Sequence, residues 1–138
     1  MTEVAVYEGR LVAWVPGRLT NPLNGAHGHW SVKAKARKEW RGRTLLCVGE
    51  ALLRAKVPQR GPWMAMPKLI VLTAYVWNLY DEDGLAAALK PVVDGMVDAK
   101  VIHKDDTKSG HRFVRRQAIN RKHRGVEVVV EPRPWDEQ

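Results

Sequence analysis

Hydrophobic positions along the chain recur at two periods, near two and near 3.6 residues, and the switches between them divide the sequence into elements. Residues 4–7 and 10–15 read as a short β-hairpin turned at Glu8-Gly9, and Pro16-Gly17 ends it. Residues 20–30 contain Pro, Gly and Asn and read as a loop. Ser31 stands where a helix cap belongs, and Val32, Ala36 and Trp40 then recur at helical spacing. Gly42 is expected to break this helix before a second one over residues 45–56. Pro58, Gly61 and Pro62 mark the next loop.

The clearest strand is KLIVLTAYVWNLY, residues 68–80. Leu69, Val71, Tyr75 and Trp77 fall on one face, and Ile70, Leu72, Ala74 and Val76 on the other. A strand apolar on both faces is expected in the middle of a sheet. It ends where Asp81 begins. Residues 84–99 read as a helix that Pro91 bends. With Asp83 at zero and about 100° per residue, Lys90 falls near 340°, Asp94 near 20° and Asp98 near 60°. Leu89, Val92, Val93 and Met96 fall on the opposite side.

Residues 111–119 and 125–131 read as two more strands, paired as a hairpin through a basic turn at 120–124, and 132–138 as a tail. The expected order is β, β, α, α, β, α, β, β. It describes one α/β (α+β) domain over residues 1–131, a mixed sheet packed against helices with some antiparallel pairing.

Length and composition are consistent with that reading. The 138 residues fit one domain, and a hydrophobic share of 45% excludes a disordered chain. No stretch approaches the roughly 20 apolar residues that span a bilayer. Residues 1–4 lack the basic and apolar regions of a secretory signal. Cys47 is the only cysteine and sits in an apolar run, which suits a small core residue in a reducing cytoplasmic setting.

Charge changes the picture. The chain carries +8, which points to a polyanionic partner. Residues 81–106 are the opposite: Asp81, Glu82, Asp83, Asp94, Asp98, Asp105 and Asp106 against Lys90, Lys100 and Lys104, a net of −4. The remainder therefore carries +12. An acidic island in a basic chain suits a metal-dependent enzyme acting on phosphodiesters: the surround attracts the backbone and the island holds cations.

Asp81 and Asp83 flank the strand–helix junction, where extended residues two apart point the same way and can converge on one ion. Asp105 or Asp106 would arrive from beyond the helix. Magnesium takes a few hard carboxylate oxygens and keeps several waters, and a cation relieves the repulsion among gathered acids. Lys90 shares a helix face with Asp83 and Asp94, where it can neutralise a phosphate or orient a carboxylate. The same row also reads as the wet face of an amphipathic helix, and Asp105-Asp106 as a turn.

The ordered set Asp81-Glu82-Asp83-Gly84, Lys90-Pro91-Val92-Val93-Asp94-Gly95-Met96-Val97-Asp98-Ala99 and Asp105-Asp106 resembles the RusA-type Holliday-junction resolvases of phages and prophages. Their signature is Asp-x-Asp-Asn, a Lys, an Asp four residues later and a closing Asp-Asp. A fainter likeness lies in Pro22, Asn24 and Trp30. The resemblance implies a homodimer of α/β fold that resolves four-way DNA by paired nicks in recombination and repair. It implies magnesium as cofactor, with manganese a possible substitute. Position by position, Asp81, Asp83 and Asp106 match the catalytic carboxylates, Lys90 the essential lysine and Asp94 the helix acid. Gly84 stands where the family has Asn, and Lys100 where it has Gly. The path from Asp94 to Asp105-Asp106 is about one residue longer, which leaves Asp105 and Asp106 both open as the third metal ligand.

Two basic stretches bear on DNA. One contains Lys33, Lys35, Arg37, Lys38, Arg41 and Arg43; the other contains Arg112, Arg115, Arg116, Arg121, Lys122 and Arg124. Each reads as a phosphate contact or as a solvated surface that discourages strand pairing. His27-Gly28-His29 lacks a second pair at zinc spacing and reads as a loop. Trp30 and Trp63 read as core anchors or as stacking platforms. Beside the nuclease stand two other readings: a non-catalytic branched-DNA-binding module of the same fold, and a phosphohydrolase acting on RNA or nucleotides with the same carboxylates.

Overall fold

A computed structural model describes residues 10–20, 30–56, 67–102 and 110–132. The strand expected at 4–7 and the tail at 133–138 lie outside these. The described elements are β1 (Leu11–Pro16), α1 (Trp30–Arg54), β2 (Lys68–Val76), α2 (Glu82–Asp98), β3 (Arg112–Ile119) and β4 (Gly125–Pro132). The strands form one mixed sheet in the order β1-β4-β2-β3, so the fold is α+β.

Strand β2 is central, as its apolar run predicts. It pairs parallel with β3, Leu69 opposite Arg112 and Val76 opposite Ile119. It pairs antiparallel with β4, Leu72 opposite Val128. Helix α2 makes the crossover that parallel neighbours require. Burial along β2 alternates strictly. Ile70, Leu72 and Ala74 are fully buried, with Val126, Val128 and Val130 of β4 and Val15 of β1 beside them. The opposite face, including Leu69, Val71 and Tyr75, is half-buried. The expectation of burial on both faces therefore holds for one face. That face shares its core cluster with Trp40, Val48 and Leu52 of α1 and Leu89, Val92 and Met96 of α2.

Three further expectations are corrected. First, β3 and β4 do not form a hairpin, because β2 lies between them. The turn at 120–124 crosses the end of β2, where the Asn120 amide donates to the Val76 carbonyl at 3.0 Å. The strand with the longest apolar run takes an inner position, and the arginine-rich β3 is at the edge of the described sheet, where charge discourages further pairing.

Second, β2 ends at Val76 rather than residue 80. Gln117 replaces a strand partner at Tyr80: its Oε1 accepts from the Tyr80 amide at 2.9 Å and its Nε2 donates to the Tyr80 carbonyl at 2.7 Å. The Tyr80 hydroxyl donates to the Leu19 carbonyl at 2.8 Å. These bonds fix the chain just before Asp81.

Third, Gly42 does not interrupt α1, which runs unbroken for 25 residues. Trp40, Thr44, Val48, Ala51 and Leu52 are buried at helical spacing on both sides of it. Glycine costs about 1 kcal/mol relative to alanine in a helix, and each fully buried aliphatic side chain contributes about 1.5–3 kcal/mol, so burial wins. The buried stripe starts at Trp40, since Val32 is 60% exposed.

Helices α1 and α2 cross closely at Gly95, where an added Cβ would meet the Arg41 carbonyl oxygen and the Thr44 Cβ, each at 2.6 Å. Arg41 closes the same crossing through Asp98. Cys47 is partly buried against the core, and burial pushes its thiol pKa up. Among the described residues, no helix is long and apolar enough to cross a membrane.

Candidate functional site

The acidic island begins where Tyr80 hands the chain to α2. Asp81 has extended backbone, φ −70° and ψ 171°, and is the N-cap of the helix. Its Oδ1 accepts from the Gly84 amide at 2.7 Å. Aspartate suits this position because its short side chain satisfies an amide that the first turn leaves without a partner. Glu82 and Asp83 follow in the first turn. The helix dipole favours negative charge there, so these acids also have a structural role.

The helix begins at Glu82, two residues earlier than the sequence suggests. Asp81 and Asp83 are therefore not alternate residues of an extended segment. They are the cap and the second residue of a helix, and all three acids from Asp81 to Asp83 are exposed. The structure keeps Asp81 and Asp83 within one turn, by a different route from strand alternation.

It does not bring Asp94 to them. Eleven residues of helix at about 1.5 Å each place Asp94 roughly 16 Å along the axis from Asp83. That is several times the reach of one cation's ligand shell. Asp94 is instead paired with Lys90, Nζ to Oδ1 at 3.3 Å. Asp98 is taken up by Arg41: Nε and Nη2 donate to its two carboxylate oxygens at 2.5 and 2.9 Å. The guanidinium beside Asp98 holds that carboxyl below its ordinary range.

Among the described residues, no three His, Cys, Asp or Glu side chains gather as a metal group. Asp105 and Asp106 lie outside the described residues, as do Pro22, Asn24, His27, His29 and Trp63. The described pair, Asp81 and Asp83, fits magnesium by donor chemistry. Both offer hard carboxylate oxygens at an exposed position, and magnesium often takes only one or two carboxylates and fills its shell with water and phosphate oxygens. Manganese accepts the same donors.

Lys90 has a neighbour that the sequence gives no reason to expect. Strand alternation turns Arg115 toward the helices, on the side of Leu72, while Arg112 and Arg116 lie on the other face. Lys90, Val93 and Ala86 of α2 and Phe113 and Arg115 of β3 line a pocket of about 150 Å³. Two cations at the mouth of a small cleft suit a phosphate. The pairing depends on the parallel β2–β3 register, which periodicity alone does not fix.

The other basic residues divide by environment. Lys35, Arg37 and Lys38 are exposed along α1, and Lys33 is half-buried. Arg41 is exposed but engaged with Asp98. Arg121 and Lys122 are exposed in the turn over β2. Trp14 and Arg18 line a pocket with this turn from β1 and the residues after it, and Trp77 meets it from the end of β2. Arg121 and Arg124 each lie against the Trp77 ring, 5.1 and 5.6 Å from its centroid. The Arg121–Arg124 run is visible in the sequence. Its aromatic neighbours become visible only with the strand order.

A comparison with protein-family models finds none that matches this chain, and none of the curated proteins matches it.

Proposed function

We propose that this protein is a magnesium-dependent endodeoxyribonuclease that resolves four-way DNA junctions, acting as a homodimer in the cytoplasm. The observation that carries the proposal is the exposed Asp81–Asp83 turn, fixed at the end of the central strand in a chain of net charge +8. The ordered likeness to RusA-type resolvases supports it. Asp81 and Asp83 hold the metal, with Asp105 or Asp106 as third ligand. A magnesium ion there supplies the positive charge that activates water and offsets charge on the phosphorane transition state. Lys90, oriented by Asp94, and Arg115 hold a phosphate of the strand being cut. Exposed Lys35, Arg37 and Lys38, with Arg112 and Arg116, supply contacts to the remaining arms.

A non-catalytic branched-DNA-binding module is the second reading. The Asp81–Gly84 bond favours it, because one oxygen of a supposed metal ligand already caps a helix. Both readings are tested by offering four-way DNA, linear duplex, RNA and nucleotides side by side with and without magnesium. The proposal expects paired nicks in the four-way DNA only, and only with the metal. Tight junction binding without product under any divalent metal supports the second reading. Hydrolysis of RNA or nucleotides alone contradicts both.

A further inference from the structure

Away from the carboxylates, β1 and the 120–124 turn border an open pocket of about 310 Å³ lined by Trp14, Arg18, Lys122, His123 and Arg124, with no acidic side chain among the described residues of its wall. We infer that this pocket binds one unpaired nucleotide of a nucleic-acid strand, its phosphate held by the basic side chains and its base stacked on Trp14.

Three observations lead there. Trp14 is 42% exposed and lines the pocket, so part of its surface is open to a ligand. It is also held rigidly. Its indole lies over Gly125, where an added Cβ would come within 2.5 Å of the ring, and it packs on Tyr75 with centroids 5.7 Å apart at 52°. A pre-set aromatic loses little entropy on stacking.

The basic wall is fixed in the same way. Asn120 Oδ1 accepts from the amides of Lys122 and His123 at 3.1 and 3.0 Å. The Gly17 amide donates to the Arg124 carbonyl at 3.1 Å, tying the turn to the end of β1. The Arg124 guanidinium is braced by Trp77. Charge therefore lies beside an exposed ring.

That combination selects the ligand. A free anion needs the charge but gives the ring no role. A duplex supplies phosphates, but its bases are stacked inside and cannot reach Trp14. An unpaired nucleotide supplies both, and a volume near 300 Å³ is at the lower end of small-ligand sites. The pocket also lies at the end of the sheet from which Asp81 departs, since the turn bonds to Val76. A strand held there is at the same end of the sheet as the carboxylates. The inference shares the nucleic-acid partner of the proposed function but not its catalytic centre.

The test is fluorescence anisotropy in EDTA with labelled 12-mers of thymidine, of uridine and of a blunt duplex. The full-length protein is compared with Trp14→Leu, Trp14→Phe and Arg18→Gln, each checked for an unchanged melting profile. Wild type is expected to bind the single strands more tightly than the duplex. Trp14→Leu is expected to weaken single-strand binding at least about fivefold, the low end for loss of one base stack, and Trp14→Phe to retain most of it. Arg18→Gln is expected to lower the salt slope by about one phosphate contact. Equal single-strand affinity for wild type and folded Trp14→Leu overturns the inference, as does preference for the duplex. Without metal, these outcomes are independent of whether the protein cuts DNA.

Discussion

Asp81 Oδ1 accepts a hydrogen bond from the Gly84 amide at 2.7 Å, so the first carboxylate of the candidate centre is also the cap of α2. The two roles make different demands. Capping needs an acceptor oxygen, which asparagine also supplies; holding a divalent cation needs the negative charge. Asp81→Ala should lower stability by about 1 kcal/mol, and Asp81→Asn should leave it within a few tenths. Urea denaturation followed by circular dichroism measures both. Equal losses for the two variants would show that the cap contributes nothing.

Gly95 predicts a larger loss. A methyl group there meets the backbone oxygen of Arg41 at 2.6 Å, and a backbone atom cannot swing aside as a side-chain tip can. Gly95→Ala should therefore destabilise by about 1–3 kcal/mol, the usual range for overpacking, despite alanine's better helix propensity. Gly42→Ala is the control, since nothing beyond its own stretch of helix backbone lies within 4 Å of its added Cβ. It should be neutral or stabilising by up to about 1 kcal/mol. A stable Gly95→Ala contradicts the close crossing.

The Arg41–Asp98 pair makes a pH-dependent prediction. Hydrogen bonding to Arg41 lowers the Asp98 carboxyl from 3.8. A carboxylate with a depressed folded pKa contributes stability that is present above its unfolded value and is lost as pH falls through the folded one. Both side chains remain partly exposed to solvent, so the effect is small. The stability difference between wild type and Arg41→Ala should shrink below about pH 4 and in high salt. A difference constant from pH 7 to pH 2 contradicts it. If the guanidinium is committed to Asp98, Arg41→Ala should also weaken junction binding less than Lys38→Ala does.

Lys68 gives a slope of the same sign in an alkaline window. It is fully buried, and burial pushes its pKa from 10.5 down to about 8. Between those values the unfolded chain binds more protons than the folded one, so stability rises with pH across that window. The raised Cys47 thiol works against this above pH 9 but is common to both proteins compared. Wild type minus Lys68→Met, measured by urea denaturation from pH 7.5 to 10, should therefore rise with pH. A flat difference contradicts the burial of a charged amine.

Much of this architecture is legible in the sequence, because burial dominates it. The apolar run at 68–76 requires a central strand, and the row Leu89, Val92, Val93 and Met96 requires an amphipathic helix. Local pattern does not encode which strands pair. Residues 111–119 and 125–131 look like a hairpin because a short turn joins them, but the turn passes over β2. Gly42 looks like a break because propensity is local, whereas the stripe from Trp40 to Leu52 is fixed by tertiary packing.

The candidate site divides along the same line. Asp81, Asp83, Lys90 and Asp94 are found by order and spacing within one helix. The convergence of Arg115 on Lys90, and of Trp14 on the 120–124 turn, depends on strand register. Helical angle alone groups Asp94 with Asp83, and only the axial rise separates them.

The central claim is that the charge on Asp81 serves phosphodiester cleavage rather than folding. The direct measurement is cleavage of a labelled four-way junction in magnesium by wild type and Asp81→Asn, with binding of the same junction measured in EDTA. The account predicts metal-dependent paired nicks from wild type, loss of cutting by at least about a hundredfold in Asp81→Asn, and junction affinity within about twofold of wild type. Undiminished cutting by Asp81→Asn would contradict it.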